Sequence, residues 1–107
     1  MTSDSREAYD AVVSEMVATS PTTSGKMFGM PCLKNSNGKA FAGYSEGSMV
    51  FKLSGISHAE ALALAGASLF DPMGGRPMKE WVLVPPEHST QWIEFARDAF
   101  EYVTDKI

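Results

Sequence analysis

Lys26-Met27-Phe28-Gly29-Met30-Pro31-Cys32-Leu33-Lys34, Asn35-Ser36-Asn37-Gly38, Lys39 to Ser45, Glu46-Gly47 and Ser48-Met49-Val50-Phe51-Lys52-Leu53 form one continuous run. Its apolar stretches are punctuated by turn signals, and that pattern decides the fold. Lys26–Lys34 reads as a strand rich in Met, Phe and Leu. Pro31 offers no ladder N–H, so it belongs at an edge or a bulge. Asn37-Gly38 suits the positive backbone angles of a tight hairpin. Lys39–Ser45 is the second strand, Glu46-Gly47 turns the chain again, and Ser48–Leu53 is the third. Met49, Phe51 and Leu53 share one face of that strand, and Val50 and Lys52 share the other. Short turns make the three strands an antiparallel meander.

Outward from the meander the period changes. Met1–Thr19 reads as a helix, with Asp4 and Glu7 at capping-box spacing and Tyr9, Val12, Val13, Met16 and Val17 on one face. Pro21 ends it. Downstream, Ser57–Gly66 is a second helix, opened by Ser57-His58-Ala59-Glu60 as a capping box and closed by Gly66. Leu69-Phe70-Asp71 forms a short fourth strand, Pro72–Pro77 a loop, and Met78–Val84 a fifth strand that Pro85-Pro86 stops. The last helix spans His88–Thr104, with Trp92, Phe95, Ala96, Ala99 and Val103 in one stripe. The order is α-β-β-β-α-β-β-α. The fold class is α+β: a two-layer sandwich with an antiparallel sheet and its helices on one face. Phe51, Leu53 and Trp92 are expected to bury together between the layers.

A chain of 107 residues is sized for one domain, residues 1–107. Its 44% hydrophobic and 21% charged content fits a folded globule and argues against disorder. A net charge of -4 disfavours direct nucleic-acid binding. The single cysteine forms no intrachain disulfide, and no stretch reads as a leader or a membrane span, which makes the cytoplasm the expected compartment. Charge is uneven. Residues 21–54 hold four lysines against one glutamate, whereas the terminal helices are acidic. Lysines solvating an open sheet face account for this, and an anionic partner on that face is the sharper alternative.

Several short patterns carry possible chemistry. Gly43-Tyr44-Ser45-Glu46-Gly47 matches G-x-S-x-G, but a nucleophile elbow needs a helix after the serine, and a strand follows here. Ser36-Asn37-Gly38-Lys39 matches S-x-x-K at a hairpin tip, where a buried catalytic lysine has no place. His58-Ala59-Glu60 matches half of a zinc deaminase motif and lacks the cysteine half. Cys32 reads as a small buried hydrophobe, with nucleophilic use requiring His58 or His88 beside it. No catalytic residue, metal site or cofactor is therefore expected. The methionines read as core filler, with an adaptable binding face as the alternative. Gly74-Gly75-Arg76-Pro77-Met78-Lys79 is the candidate binding stretch. Gly74 and Gly75 let backbone approach a ligand, Arg76 and Lys79 are suited to a carboxylate or phosphate, and Trp81 shares Lys79's face on the strand.

Lys26-Met27-Phe28-Gly29-Met30, Phe41-Ala42, Val50-Phe51-Lys52-Leu53, Leu69-Phe70-Asp71-Pro72, Gly75-Arg76-Pro77-Met78 and Val84-Pro85-Pro86-Glu87 occur in that order. Together they resemble the N-terminal domain of the TfoX/Sxy competence regulators, from about Tyr9 to Val103. The resemblance implies the same two-layer α+β order and a bacterial cytoplasmic regulator. It supplies no catalytic residues. Family members carry a second, helical domain after this one, and the present sequence stops before it. The expectation is a non-enzymatic regulatory or protein-interaction domain with an unidentified protein partner, as monomer or homodimer. The alternatives are a small-molecule binding module or thiol-dependent enzyme using Cys32, and a nucleic-acid accessory protein using the meander's lysines.

Overall fold

Gly29 divides the first strand candidate in two. Its left-handed φ of 76° turns the chain through a hairpin between Thr22–Met27 (β1) and Met30–Asn35 (β2), paired antiparallel from Met27↔Met30 to Thr22↔Asn35. Ala40–Ser45 (β3) and Ser48–Lys52 (β4) complete a meander of four strands rather than three. β1 escapes the sequence reading because Thr22-Thr23-Ser24-Gly25 has no apolar alternation, and as an edge strand it buries little. Pro31 pairs with Lys26 of β1 but lies just short of the β2–β3 ladder, which begins at Cys32↔Gly43. In the computed structural model, residues 2–27, 29–71, 75 and 78–105 are described.

The remaining elements are Thr2–Thr19 (α1), Gly55–Ala63 (α2), Ser68–Phe70 (β5), Met78–Val84 (β6), a 3₁₀ turn at Pro86–Gln91, and Trp92–Asp105 (α3). The six strands form one antiparallel sheet in the order β1-β2-β3-β4-β6-β5. The protein is thus α+β, as its sequence patterns indicate. One core draws on all three helices and one face of the sheet. Tyr9, Val12 and Met16 of α1, Ala61 of α2 and the whole Trp92-Phe95-Ala96-Ala99-Val103 stripe of α3 meet Leu33, Phe41, Met49, Phe51, Leu53, Val82 and Val84. Phe51, Leu53 and Trp92 share this cluster as expected, and the Phe51 ring packs 5.8 Å from that of Phe95. Val17 is 53% exposed, because the stripe Tyr9-Val12-Met16 passes about 100° of helical turn from it.

A β-bulge adjusts the sheet to this core. Leu33 pairs with Ala42 and Lys34 with Ala40, leaving Phe41 as the extra residue of β3. Strict alternation would turn Phe41 away from the helices. With the bulge, Phe41 and Ala42 both enter the core, and Phe41 meets Phe100 edge-on at 5.4 Å. The adjoining turn differs from a two-residue Asn-Gly hairpin. Gly38 has φ 80°, while Asn37 is not left-handed. Asn35 organises the loop instead: its Oδ1 accepts the Asn37 and Lys39 N–H groups at 3.0 Å each, and its Nδ2 donates to Thr104 Oγ1 at 3.4 Å.

The capping box at Ser57 is not formed. α2 starts earlier, with Ser54 at its N-cap and no side-chain cap bond. Ser57 Oγ donates to Asp98 Oδ2 of α3 at 3.0 Å, so a tertiary partner takes the hydroxyl that local capping would use. The last helix likewise starts at Trp92, after the 3₁₀ turn that contains His88.

Candidate interaction surface

The sheet face opposite the helices carries a second apolar cluster of Met30, Val50, Phe70 and Trp81, flanked by Met27, Ala40, Met78 and Leu83. Gly43 makes it possible. A Cβ there would stand 2.8 Å from Met30 Cε and 3.3 Å from both the Pro31 carbonyl and Val50 Cγ2, so the glycine leaves room for the Met30 side chain where it lies across β3. Beside this cluster is a hollow of about 450 Å³, lined by Met30, Ser45, Glu46, Leu69, Asp71 and Leu83 among others.

Of the candidate binding residues, Gly74 and Arg76 lie outside the described residues. Gly75, at φ 136°, donates its N–H to Asp71 Oδ2 at 2.8 Å, just past the end of β5. Lys79 has an exposed side chain, and its carbonyl accepts His58 Nε2 at 2.7 Å, joining β6 to α2. Trp81 stands on Lys79's face of β6 but is only 6% exposed, so its ring packs within the apolar cluster. Alternation along β6 assigns the face, and the surrounding Met30, Val50 and Phe70 bury the ring. The geometry therefore presents Lys79 at the surface beside an apolar floor to which Trp81 belongs.

The groups with possible chemistry are differently placed. Cys32 is fully buried; burial pushes its thiol pKa up, with Lys34 opposing. His58 donates to Lys79, and His88 Nε2 donates to the Ala65 carbonyl at 2.9 Å. Ser45 and Ser48 pair across the β3–β4 turn, so the G-x-S-x-G pattern is a hairpin. Among the described residues, no group of three or more His, Cys, Asp or Glu side chains is placed to share a metal ion. No described helix is long and apolar enough to cross a membrane.

Two connections escape sequence reasoning. Glu80 accepts the Tyr102 hydroxyl from α3 on one oxygen and lies 3.8 Å from Lys52 Nζ on the other. The signal is parity: Glu80 alternates with buried Val82 and Val84, and a charge at such a position requires a partner. Asp71, the anchor of Gly75, carries the Asp-Pro turn signal.

Comparison with known proteins finds no family model that matches the chain, no similar curated protein and no similar solved structure.

Proposed function

We propose that the chain is a non-enzymatic regulatory or protein-interaction domain, acting in the cytoplasm and similar in kind to the N-terminal domain of TfoX/Sxy regulators. The observation that carries this reading is the sheet face opposite the helices, where exposed Lys79 adjoins the Met30-Val50-Phe70-Trp81 cluster and an open hollow. An apolar floor with a cation at its rim suits a protein partner that offers an apolar side chain beside a carboxylate. The buried Cys32 and the carbonyl-bound histidines favour binding over catalysis. The test is affinity capture with the wild-type chain and with the Arg76→Ala/Lys79→Ala variant, whose folding is checked by circular dichroism. The folded double variant is expected to lose the partner that the wild type retains. Equal recovery would remove this surface from consideration.

A further inference from the structure

We propose that the channel between α2 and α3 is a docking groove for a basic amphipathic segment of a partner protein. This surface belongs to the helical layer and stands independently of the Lys79 face. The channel encloses about 430 Å³. Its apolar lining is buried Phe95, half-buried Leu64 and exposed Ala63, and Glu60, Glu94 and Asp98 line it as well. Among the described residues, no lysine or arginine does. Arg97, adjacent in sequence, is turned to the other side of α3, where it donates to Glu15 Oε2 of α1 at 2.8 Å. Asp98 accepts a hydroxyl from Ser57, a neutral donor that leaves its charge uncompensated. Glu60 and Glu94 form no ion pair among the described residues, in a chain where Asp10, Glu15 and Glu80 all do.

Ile56 lies outside this lining, one helical turn before Glu60 on α2, where it would add an apolar contact at the channel's end. It is 79% exposed, the most exposed of the large described hydrophobics. Ile56, Glu60 and Ala63 follow i, i+4, i+7 spacing on α2, while Gln91, Glu94 and Asp98 line the opposite wall. The neighbouring Ser57–Asp98 bond holds the two helices together at the Ile56 end. The result is an apolar strip with an exposed isoleucine and negative walls. Its charge complement is a helix with one apolar stripe flanked by lysine or arginine, laid between α2 and α3. An acidic or neutral segment would leave three like charges facing one another with no counterion.

The probe is a short synthetic helix of leucine and lysine, with leucines at i, i+3, i+4 and i+7, read by fluorescence anisotropy on the full chain. Two control peptides replace its lysines by glutamate or its leucines by serine. The leucine–lysine peptide should bind and both controls should not. The Ile56→Ser/Glu60→Gln/Glu94→Gln variant should weaken binding by about tenfold or more, the scale of one lost hot-spot contact. The Glu7→Gln/Asp10→Asn variant removes the same charge from exposed sites on α1, away from the channel, and should bind as wild type. Equal losses in the two variants would mean that bulk acidity attracts the peptide and would overturn the proposal, as would absent binding or equal binding of the serine control. Ile56→Ser alone, a change at an exposed position, provides the folded check and should weaken binding by itself.

Discussion

Tyr9 connects helix and sheet through one buried side chain. Its ring lies 5.1 Å from that of Tyr44, and the Arg6 guanidinium stands 5.6 Å from both ring centroids. Ser5 Oγ and the Tyr44 hydroxyl complete the contact at 2.8 Å. Burial, reinforced by nearby Cys32, pushes the Tyr9 phenol up to about 12 from 10.0, although Arg6 pulls the other way. The unfolded chain therefore loses this proton first as pH rises. Tyr9's contribution is whole below pH 10 and lost progressively up to about pH 12, an effect on the order of a few kcal/mol. Urea midpoints across that window should fall for the wild type and flatten for Tyr9→Phe; identical slopes would refute the assignment. Apolar spacing places Tyr9 on the buried stripe of α1 from sequence alone. Its partners do not follow, because Tyr44 and Arg6 meet only once β3 lies beneath the helix.

The hairpins show which local signals survive folding. Glu46 and Gly47 have φ of 49° and 90°, positive at both central positions as a type I′ turn requires. Glycine takes this conformation without penalty; glutamate does so with strain. Glu46→Asn should raise stability by about 0.5–1 kcal/mol, measured by chemical denaturation, because asparagine favours the left-handed region. No gain would mean that Glu46 makes a compensating contact. The turn is legible in the sequence because Glu-Gly interrupts two apolar runs. Asn37-Gly38 carries a stronger two-residue signal, yet the Asn35 side chain ties three intervening residues into a longer loop. Such a competition between side-chain and backbone acceptors is invisible to dipeptide preference. At α2 the capping pattern misleads for a related reason, since Asp98 lies across the tertiary structure from Ser57.

Across the molecule, the strongest periodicities correspond to the central contact. Met49, Phe51 and Leu53 at period two meet the α3 stripe at its helical period, and these register-independent patterns make the main core readable. The β3 bulge, the edge strand β1 and the second apolar cluster are not readable, because each depends on neighbours distant in sequence. Half of the candidate site shares that fate: parity assigns Trp81 to Lys79's face, but not the packing that buries it. Phe51→Ala should cost about 3–5 kcal/mol, as for other large aromatic side chains truncated in a core. Because one core joins every helix to the sheet, tryptophan fluorescence and far-ultraviolet circular dichroism should lose their native signals at one common midpoint in this variant and in the wild type. A loss under about 1 kcal/mol would contradict the central place of Phe51, and separated midpoints would contradict the single core.

The position of β1 at the sheet margin gives the protein unequal resistance to mechanical force. Tension on α1 first withdraws Tyr9, Val12 and Met16 from the core and then reaches Thr22, at the open end of the β1–β2 ladder, whose pairs part in succession up to the Gly29 turn. Tension on α3 must instead withdraw Val103, Ala99, Ala96, Phe95 and Trp92 from the apolar interior before any strand moves. An unfolding motor pulling through α1 thus meets three core side chains and then a zipper, and a motor pulling through α3 meets the five-residue stripe at the centre of the core.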